Sequence, residues 1–167
     1  DGFKGAACLI PAALAREGNR RGAGGWPPRS AYLHIPFCHR RCFYCDFPVV
    51  PLGDHASAEA GAPGSASIAH YLQLLQREIA AAASGPPLST VYVGGGTPSL
   101  LSGPQLLQLL QQLRRHYGIA PDAEVSLELD PASFDQARLA AYLAAGVTRV
   151  SLGGQSFSDG VLEHLGR

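Results

Sequence analysis

Three cysteines fall within one short stretch, Cys38-His39-Arg40-Arg41-Cys42-Phe43-Tyr44-Cys45, directly after the strand-like run Ala31-Tyr32-Leu33-His34-Ile35. Thiols this close in sequence can ligate one metal centre together, and the x3 and x2 intervals leave too little chain for a helix or hairpin between ligands. The loop must wrap something compact, and an iron–sulfur cluster held by Cys thiolates suits that geometry. No fourth thiol is at hand. Asp46 and Phe47 follow Cys45, and the only other cysteine, Cys8, lies in an Ala-rich context and reads as an incidental thiol. A cubane held by three thiolates keeps one iron open. Zinc is the competing ion, since Cys-x2-Cys is also a zinc half-site, but structural zinc takes four protein ligands and usually draws a second pair from farther along. That pair is missing here, so zinc would have to recruit His34 or His39. A disulfide framework would leave one of the three thiols over, in a chain long and aliphatic enough to need no staples. A zinc-stabilised binding module without redox chemistry therefore stands beside the cluster as the reading from another functional class.

Other residues with chemical potential recur farther along. Gly94-Gly95-Gly96-Thr97 lets the backbone approach a ligand closely, although a tight strand-to-helix turn would use the same residues. No Lys-Ser or Lys-Thr follows the run, which disfavours nucleoside triphosphate chemistry. Glu128 sits on an otherwise apolar strand. A carboxylate there is turned to solvent or held for a ligand hydroxyl, as an acidic residue reads a ribose in dinucleotide sites. Gln155 offers a neutral amide, and Arg167 a fixed cation for a carboxylate.

The elements that must position these groups alternate. A strand at 31–35 precedes the Cys loop; Gly53 to Ser67 is Gly-, Ala-, Ser- and Pro-rich and reads as a flexible surface insertion (53-67) with no means of packing. Ile68, Tyr71, Leu72, Leu75 and Ile79 then fall at helical spacing, with Ser67 as N-cap and Gly85-Pro86-Pro87 as the stop. Ser89 to Val93 is a β-branched strand. Ser102 with Gln105 makes a capping box for a helix carrying Leu106, Leu109, Leu110 and Leu113 inward. Glu124 to Leu129 is a third strand, and Ser133 is placed to cap a third helix with Leu139, Tyr142 and Leu143 inward and Gly146 as its end. Thr148 to Leu152 is a fourth strand, and a short helix covers Val161 to Leu165. Alternation of this kind calls for an α/β fold with a parallel sheet. The Cys loop, the Gly run, Glu128 and Gln155 all fall at C-terminal strand ends, the active-site face of a β/α barrel. An open doubly wound sheet would gather ligands at one crevice and recruit fewer strand ends. The expected fold is a partial (β/α) barrel, the N-terminal half only, because a complete one needs about 250 residues.

Thirteen basic residues balance thirteen acidic ones, so no global field draws in nucleic acid or an anionic membrane. No apolar run reaches the roughly 20 residues of a membrane span. The absence of Met and the start at Asp1 suggest a fragment or a processed start. Residues 1–29 are basic, Ala-rich and acid-poor and read as a disordered or targeting leader, with residues 30–167 forming the core domain. Thiolate ligands imply a reducing compartment. The expected location is the cytoplasm, or a chloroplast or mitochondrion if the leader is a transit segment.

Taken together, Tyr32-Leu33-His34-Ile35-Pro36-Phe37-Cys38 through Cys45-Asp46-Phe47, Gly94-Gly95-Gly96-Thr97-Pro98-Ser99, Glu128-Leu129-Asp130-Pro131 and Ser151-Leu152-Gly153-Gly154-Gln155-Ser156-Phe157 with Leu165-Gly166-Arg167 resemble the radical S-adenosylmethionine proteins of the oxygen-independent coproporphyrinogen III oxidase family. The resemblance runs from about Ser30 to Arg167. It implies that Cys38, Cys42 and Cys45 bind a 4Fe-4S cluster whose open iron takes the amino and carboxylate groups of S-adenosylmethionine, and that reductive cleavage of the sulfonium yields a 5′-deoxyadenosyl radical. It further implies that Tyr32 and Tyr44 lie beside the cluster and cofactor. Gly95, Gly96 and Thr97 would contact the methionine moiety, Glu128 the ribose or amino end, and Gln155 and Arg167 the rest. In the family's decarboxylases a further Cys follows the third one after a single residue. Here that position is Phe47, which favours the HemW-type heme-chaperone branch, with heme or porphyrin as a further ligand and an electron donor and a heme acceptor protein as partners. An active coproporphyrinogen III dehydrogenase, removing propionate carboxylates oxidatively, is the alternative within the family. Gly154 departs from the family pattern, which more often has Val there.

Overall fold

A computed structural model describes residues 28–167; the expected leader through residue 27, and Cys8 within it, lie outside the described residues. In chain order the elements are β1 (Ser30–Ile35), β2 (Phe37–Cys38), β3 (Val50–Pro51), α1 (Ser65–Ala81), β4 (Leu88–Gly95), a 3-10 turn (Pro98–Leu100), α2 (Gly103–His116), β5 (Ile119–Leu129), α3 (Gln136–Ala145), β6 (Arg149–Leu152) and α4 (Asp159–His164).

The strands β1, β4, β5 and β6 lie side by side in that order, and every pairing is parallel. Alternation along the strands divides the sheet into two faces. Leu33 and Ile35 of β1, Val91 and Val93 of β4, and Val125 and Leu127 of β5 join one core with Ile68, Leu75 and Ile79 of α1 and Leu106, Leu109 and Leu110 of α2. Each fully buried Leu or Ile of that kind contributes about 1.5–3 kcal/mol. The alternate positions are polar: Tyr32 and His34, Tyr92, Ser126 and Glu128. Helices on one face and a polar second face suit a sheet that curls inward; a doubly wound sheet would be apolar on both sides. The α/β class and the parallel sheet agree with the alternation in the sequence.

Local chemistry explains the helix ends, including those the sequence misplaces. Ser102 and Gln105 form the expected capping box, Ser102 Oγ accepting from the Gln105 amide and Gln105 Oε1 from the Ser102 amide. The first helix starts at Ser65, not after Ser67: Gly64, at φ 77°, turns the chain three residues earlier. A Cβ at Gly64 would stand 2.8 Å from the Leu52 side chain, so the turn is packed as well as left-handed. The stretch before it is a series of turns in which Ala56 is buried, a contact that its low-complexity composition did not announce. The third helix is capped by Asp135, whose carboxylate accepts from the Arg138 amide at 2.8 Å. Ser133 instead donates to the Asp130 carbonyl. Tyr142 is buried as expected and Ala145 joins it, while Leu143, expected inward, is 53% exposed. Gly146 ends this helix at φ 112°, as expected. The two-residue strands β2 and β3 pair in parallel around the start of the Cys loop, and two residues carry no period by which a sequence could reveal them.

Candidate metal and cofactor centre

The Cys loop is anchored on two sides. On one, the Leu52 amide donates to the Cys38 carbonyl and the Gly53 amide to the His39 carbonyl. His39 Nε2 lies 3.0 Å from the Ala56 carbonyl, and Arg40 pairs with Asp54 at 3.0 Å. On the other, the Phe43 amide donates to the Leu165 carbonyl, and the Phe43 ring would meet any Cβ at Gly166 at 3.1 Å. Within the loop, Arg41 donates twice to the Cys45 carbonyl, from Nε at 3.2 Å and from Nη2 at 2.9 Å. These contacts hold three free, half-buried thiols at the rim of one cleft.

The Gly run forms the wall beside the first thiol. Gly96 and Thr97 donate from their amides to the carbonyls of Ile35 and Phe37, zipping the end of β4 onto the chain just before Cys38. A Cβ at Gly96 would stand 2.7 Å from the Phe37 carbonyl oxygen and 2.8 Å from Cys38 Sγ. Gly95 holds φ 122°, a conformation reserved for glycine. The close approach that the sequence assigned to a ligand is thus made in part by the protein itself. Burial pushes the Cys38 thiol pKa up, and the neighbouring Cys45 and Cys42 add to it, while a hydrogen bond from the Thr97 side chain opposes it.

Glu128 reaches the same cleft from β5. Its Oε1 accepts from the Tyr92 hydroxyl at 2.7 Å and its Oε2 from the Gly95 amide at 3.1 Å. The hydrogen bond to Glu128, aided by burial, pushes the Tyr92 phenol up to about 12. Tyr92 was missed in the sequence, where it is an ordinary strand tyrosine.

The far wall carries Gln155, Arg167 and Asp130, a residue that the sequence places in a motif without giving it a role. Arg167 Nη2 donates to the Gly153 carbonyl at 2.8 Å and lies 3.3 Å from Asp130 Oδ2, and its Nη1 lies 3.9 Å from Cys42 Sγ. Burial works against the guanidinium charge, but Asp130 and Cys42 outweigh it and hold its pKa above the ordinary value. Asp130 also accepts from the Ala132 amide, fixing the turn after β5. Gln155 is the one non-glycine residue with positive φ among the described residues, at 58°. A residue held in that region marks local strain, of the kind found where a side chain is aimed at a ligand.

All of these groups line one open cleft of about 780 Å³: Cys38, Cys42, Cys45, Tyr44, Gly95, Gly96, Thr97, Glu128, Gln155 and Arg167. Tyr32 alone among the expected contacts does not line it. Its hydroxyl hydrogen-bonds His34 Nδ1 at 3.1 Å and its ring stacks on Tyr92 with centroids 6.0 Å apart, because its place mid-strand in β1 lies below the rim. Among the described residues, no three His, Cys, Asp or Glu side chains are gathered closely enough to hold a single metal ion. The donor set nonetheless fits a cluster, in which each thiolate takes its own iron. Three thiols of one loop face one cavity, a glycine leaves Cys38 room, and an arginine stands beside Cys42.

Residues 32–167 match the family model of the Radical SAM superfamily. The chain is 47% identical over 141 residues to a heme chaperone HemW of Synechocystis sp., covering 84% of this chain and 33% of that protein. It is 42% identical to a heme chaperone HemW of Escherichia coli, covering 84% of this chain and 35% of the relative. The solved structure of coproporphyrinogen III oxidase (HemN) from Escherichia coli, a radical SAM enzyme, superposes with a TM-score of 0.68 at 31% identity, over 85% of this chain and 31% of that one. The chain thus spans about a third of the length of the proteins it matches.

Proposed function

From the membership of this chain in the radical SAM superfamily, which implies a 4Fe-4S cluster and S-adenosylmethionine, we propose that it is the cofactor-binding part of a heme-chaperone-like protein of porphyrin and heme metabolism. The observation that carries this reading is the convergence of the three thiols, the Gly run, Glu128 and Gln155, from the C-terminal ends of the sheet strands β1, β4, β5 and β6, and of Arg167, from the turn after α4, on one cleft. In this reading Cys38, Cys42 and Cys45 ligate three irons. Gly95, Gly96 and Thr97 contact the methionine moiety, Glu128 accepts from the ribose or amino end, and Gln155 and Arg167 hold the remainder, with Tyr44 alongside. When bound, the cluster and S-adenosylmethionine supply one-electron reductive chemistry at a sulfonium. The chain's own part is to place the ligand: Thr97 and the buried wall at Gly96 set the Cys38 side, and Arg167 keeps a fixed positive charge beside Cys42.

Phe47 supports the chaperone branch over the decarboxylase. It lines the cleft, 57% exposed, at the position where the decarboxylase pattern resembled above has a cysteine. Heme or porphyrin is then the cargo, with an electron donor and a heme acceptor as partners. The kinship to coproporphyrinogen III oxidase keeps oxidative decarboxylation as the second reading. Anaerobic reconstitution of the full-length protein with iron and sulfide, followed by heme titration and a porphyrinogen decarboxylation assay, tests both. Cluster absorption with stoichiometric heme uptake and no product is the expected result. Catalytic product formation overturns the chaperone reading, and uptake of zinc alone overturns both.

A further inference from the structure

Glu128 is held from two directions before any ligand arrives. Each carboxylate oxygen can accept two hydrogen bonds, and here each has one protein donor, the Tyr92 hydroxyl on Oε1 and the Gly95 amide on Oε2. One acceptor direction per oxygen is left for the cleft, which Glu128 lines and Tyr92 does not. Tyr92 is itself fixed: its ring stacks on Tyr32, at 24° between planes. Space for the arrangement comes from Gly94, where a Cβ would lie 2.7 Å from Tyr92 Cε1 and 3.0 Å from Glu128 Oε2.

We propose that Tyr92 is a positioning residue for the cofactor site, its hydroxyl acting with the Gly95 amide to lock the Glu128 carboxylate in the orientation that meets an amino or hydroxyl donor of the bound ligand. The proposal rests on the reading of Glu128 as a cofactor contact. With its phenol pushed up to about 12, Tyr92 remains a donor across the neutral range. A flexible glutamate without this clamp would have to be ordered at the moment of binding, which weakens affinity rather than abolishing it.

The test is a double-mutant cycle on the full-length protein, reading the Kd for S-adenosylmethionine by calorimetry together with the melting temperature. Tyr92→Phe keeps the ring and removes only the donor; its Kd should rise about ten-fold, the size of one charge-assisted hydrogen bond. Glu128→Ala should weaken binding at least as much, and adding Tyr92→Phe to it should change Kd by less than about two-fold, since nothing is left to position. An equal loss in both backgrounds means that Tyr92 acts through general stability, and the proposal falls. If Glu128→Ala weakens binding while Tyr92→Phe leaves Kd untouched, the proposal falls and the cofactor reading of Glu128 stands. If Glu128→Ala itself leaves Kd untouched, both fall. Should Tyr92→Phe melt too low to assay, 4-fluorophenylalanine at position 92, which fills the hydroxyl's space but cannot donate, should raise Kd in the same way; an unchanged Kd overturns the proposal.

Discussion

The guanidinium of Arg167 stands 3.9 Å from the Cys42 thiol while it donates to the Gly153 carbonyl and pairs with Asp130. One planar fork therefore ties the Cys loop to the turns that follow β5 and β6. Lysine has the charge but not the fork. Arg167→Lys should release the loop: hydrogen exchange at the Phe43 amide, bonded to the Leu165 carbonyl, should quicken along with that at 153–156. Because the Arg167–Asp130 pair is partly solvated, the loss of global stability should stay near 1 kcal/mol. Unchanged exchange at Phe43 would show that the fork does not hold the loop.

Two glycines of the site should respond oppositely to alanine. At Gly96 the added Cβ meets the Phe37 carbonyl at 2.7 Å and Cys38 Sγ at 2.8 Å, and the backbone has no room to withdraw. Gly96→Ala should cost about 1–3 kcal/mol and lower cluster loading. Gly154 has nothing within 4 Å of where a Cβ would stand and no positive φ. Gly154→Ala should be neutral or stabilise by about 0.4–1 kcal/mol, and Val at this position should be accommodated as well. Denaturant melts and iron content per chain check both.

The raised pKa of Cys38 has a direct chemical readout. In the cluster-free, reduced protein its alkylation at pH 8 should be slow and should climb as pH passes 9 and beyond, since only the thiolate reacts. Thr97→Ala removes the hydrogen bond that lowers this pKa, so at fixed pH the alkylation of Cys38 should slow further. Site-resolved mass spectrometry would count against the described geometry if Cys38 reacted faster in the variant.

Two tyrosines make the fold sensitive to alkali. Tyr92 and Tyr71 are both pushed up to about 12, Tyr92 chiefly by its hydrogen bond to Glu128 and Tyr71 chiefly by burial. The native state then holds its phenolic protons more tightly than the unfolded chain, whose tyrosines titrate near 10. Stability attached to these protons is fully present below pH 10 and is lost as pH rises from about 10 to 12. Denaturant midpoints should fall across that window in the wild type and fall less in Tyr92→Phe and Tyr71→Phe; parallel curves would refute the assignment.

Residues that act through their own type and spacing were legible in the sequence. The Cys-x3-Cys-x2-Cys loop, the Gly run, the lone carboxylate on β5 and the Ser102 capping box each state a requirement within a few neighbouring positions. What stayed hidden depends on pairing between distant strands. Tyr92 meets Glu128 only because Tyr92 aligns with Ser126 in the β4–β5 register, and no local pattern encodes that register. Asp130 was visible as part of a motif, but its role appears only when Arg167 folds back onto it. The caps went astray for a local reason: Ser133 and Asp135 are both competent, and the turn at Asp130 had already engaged the serine.

The double anchoring of the Cys loop also has a temporal side. The contacts to residues 52–56 lie close in sequence, but Cys42 and Arg167 are 125 residues apart. At roughly 5–20 residues per second of synthesis, Arg167 follows Cys42 by about 6–25 s. Until then the contact of Arg167 with Cys42 and that of the Leu165 carbonyl with the Phe43 amide cannot form, so the second anchor of the loop is set only at the end of this stretch of synthesis.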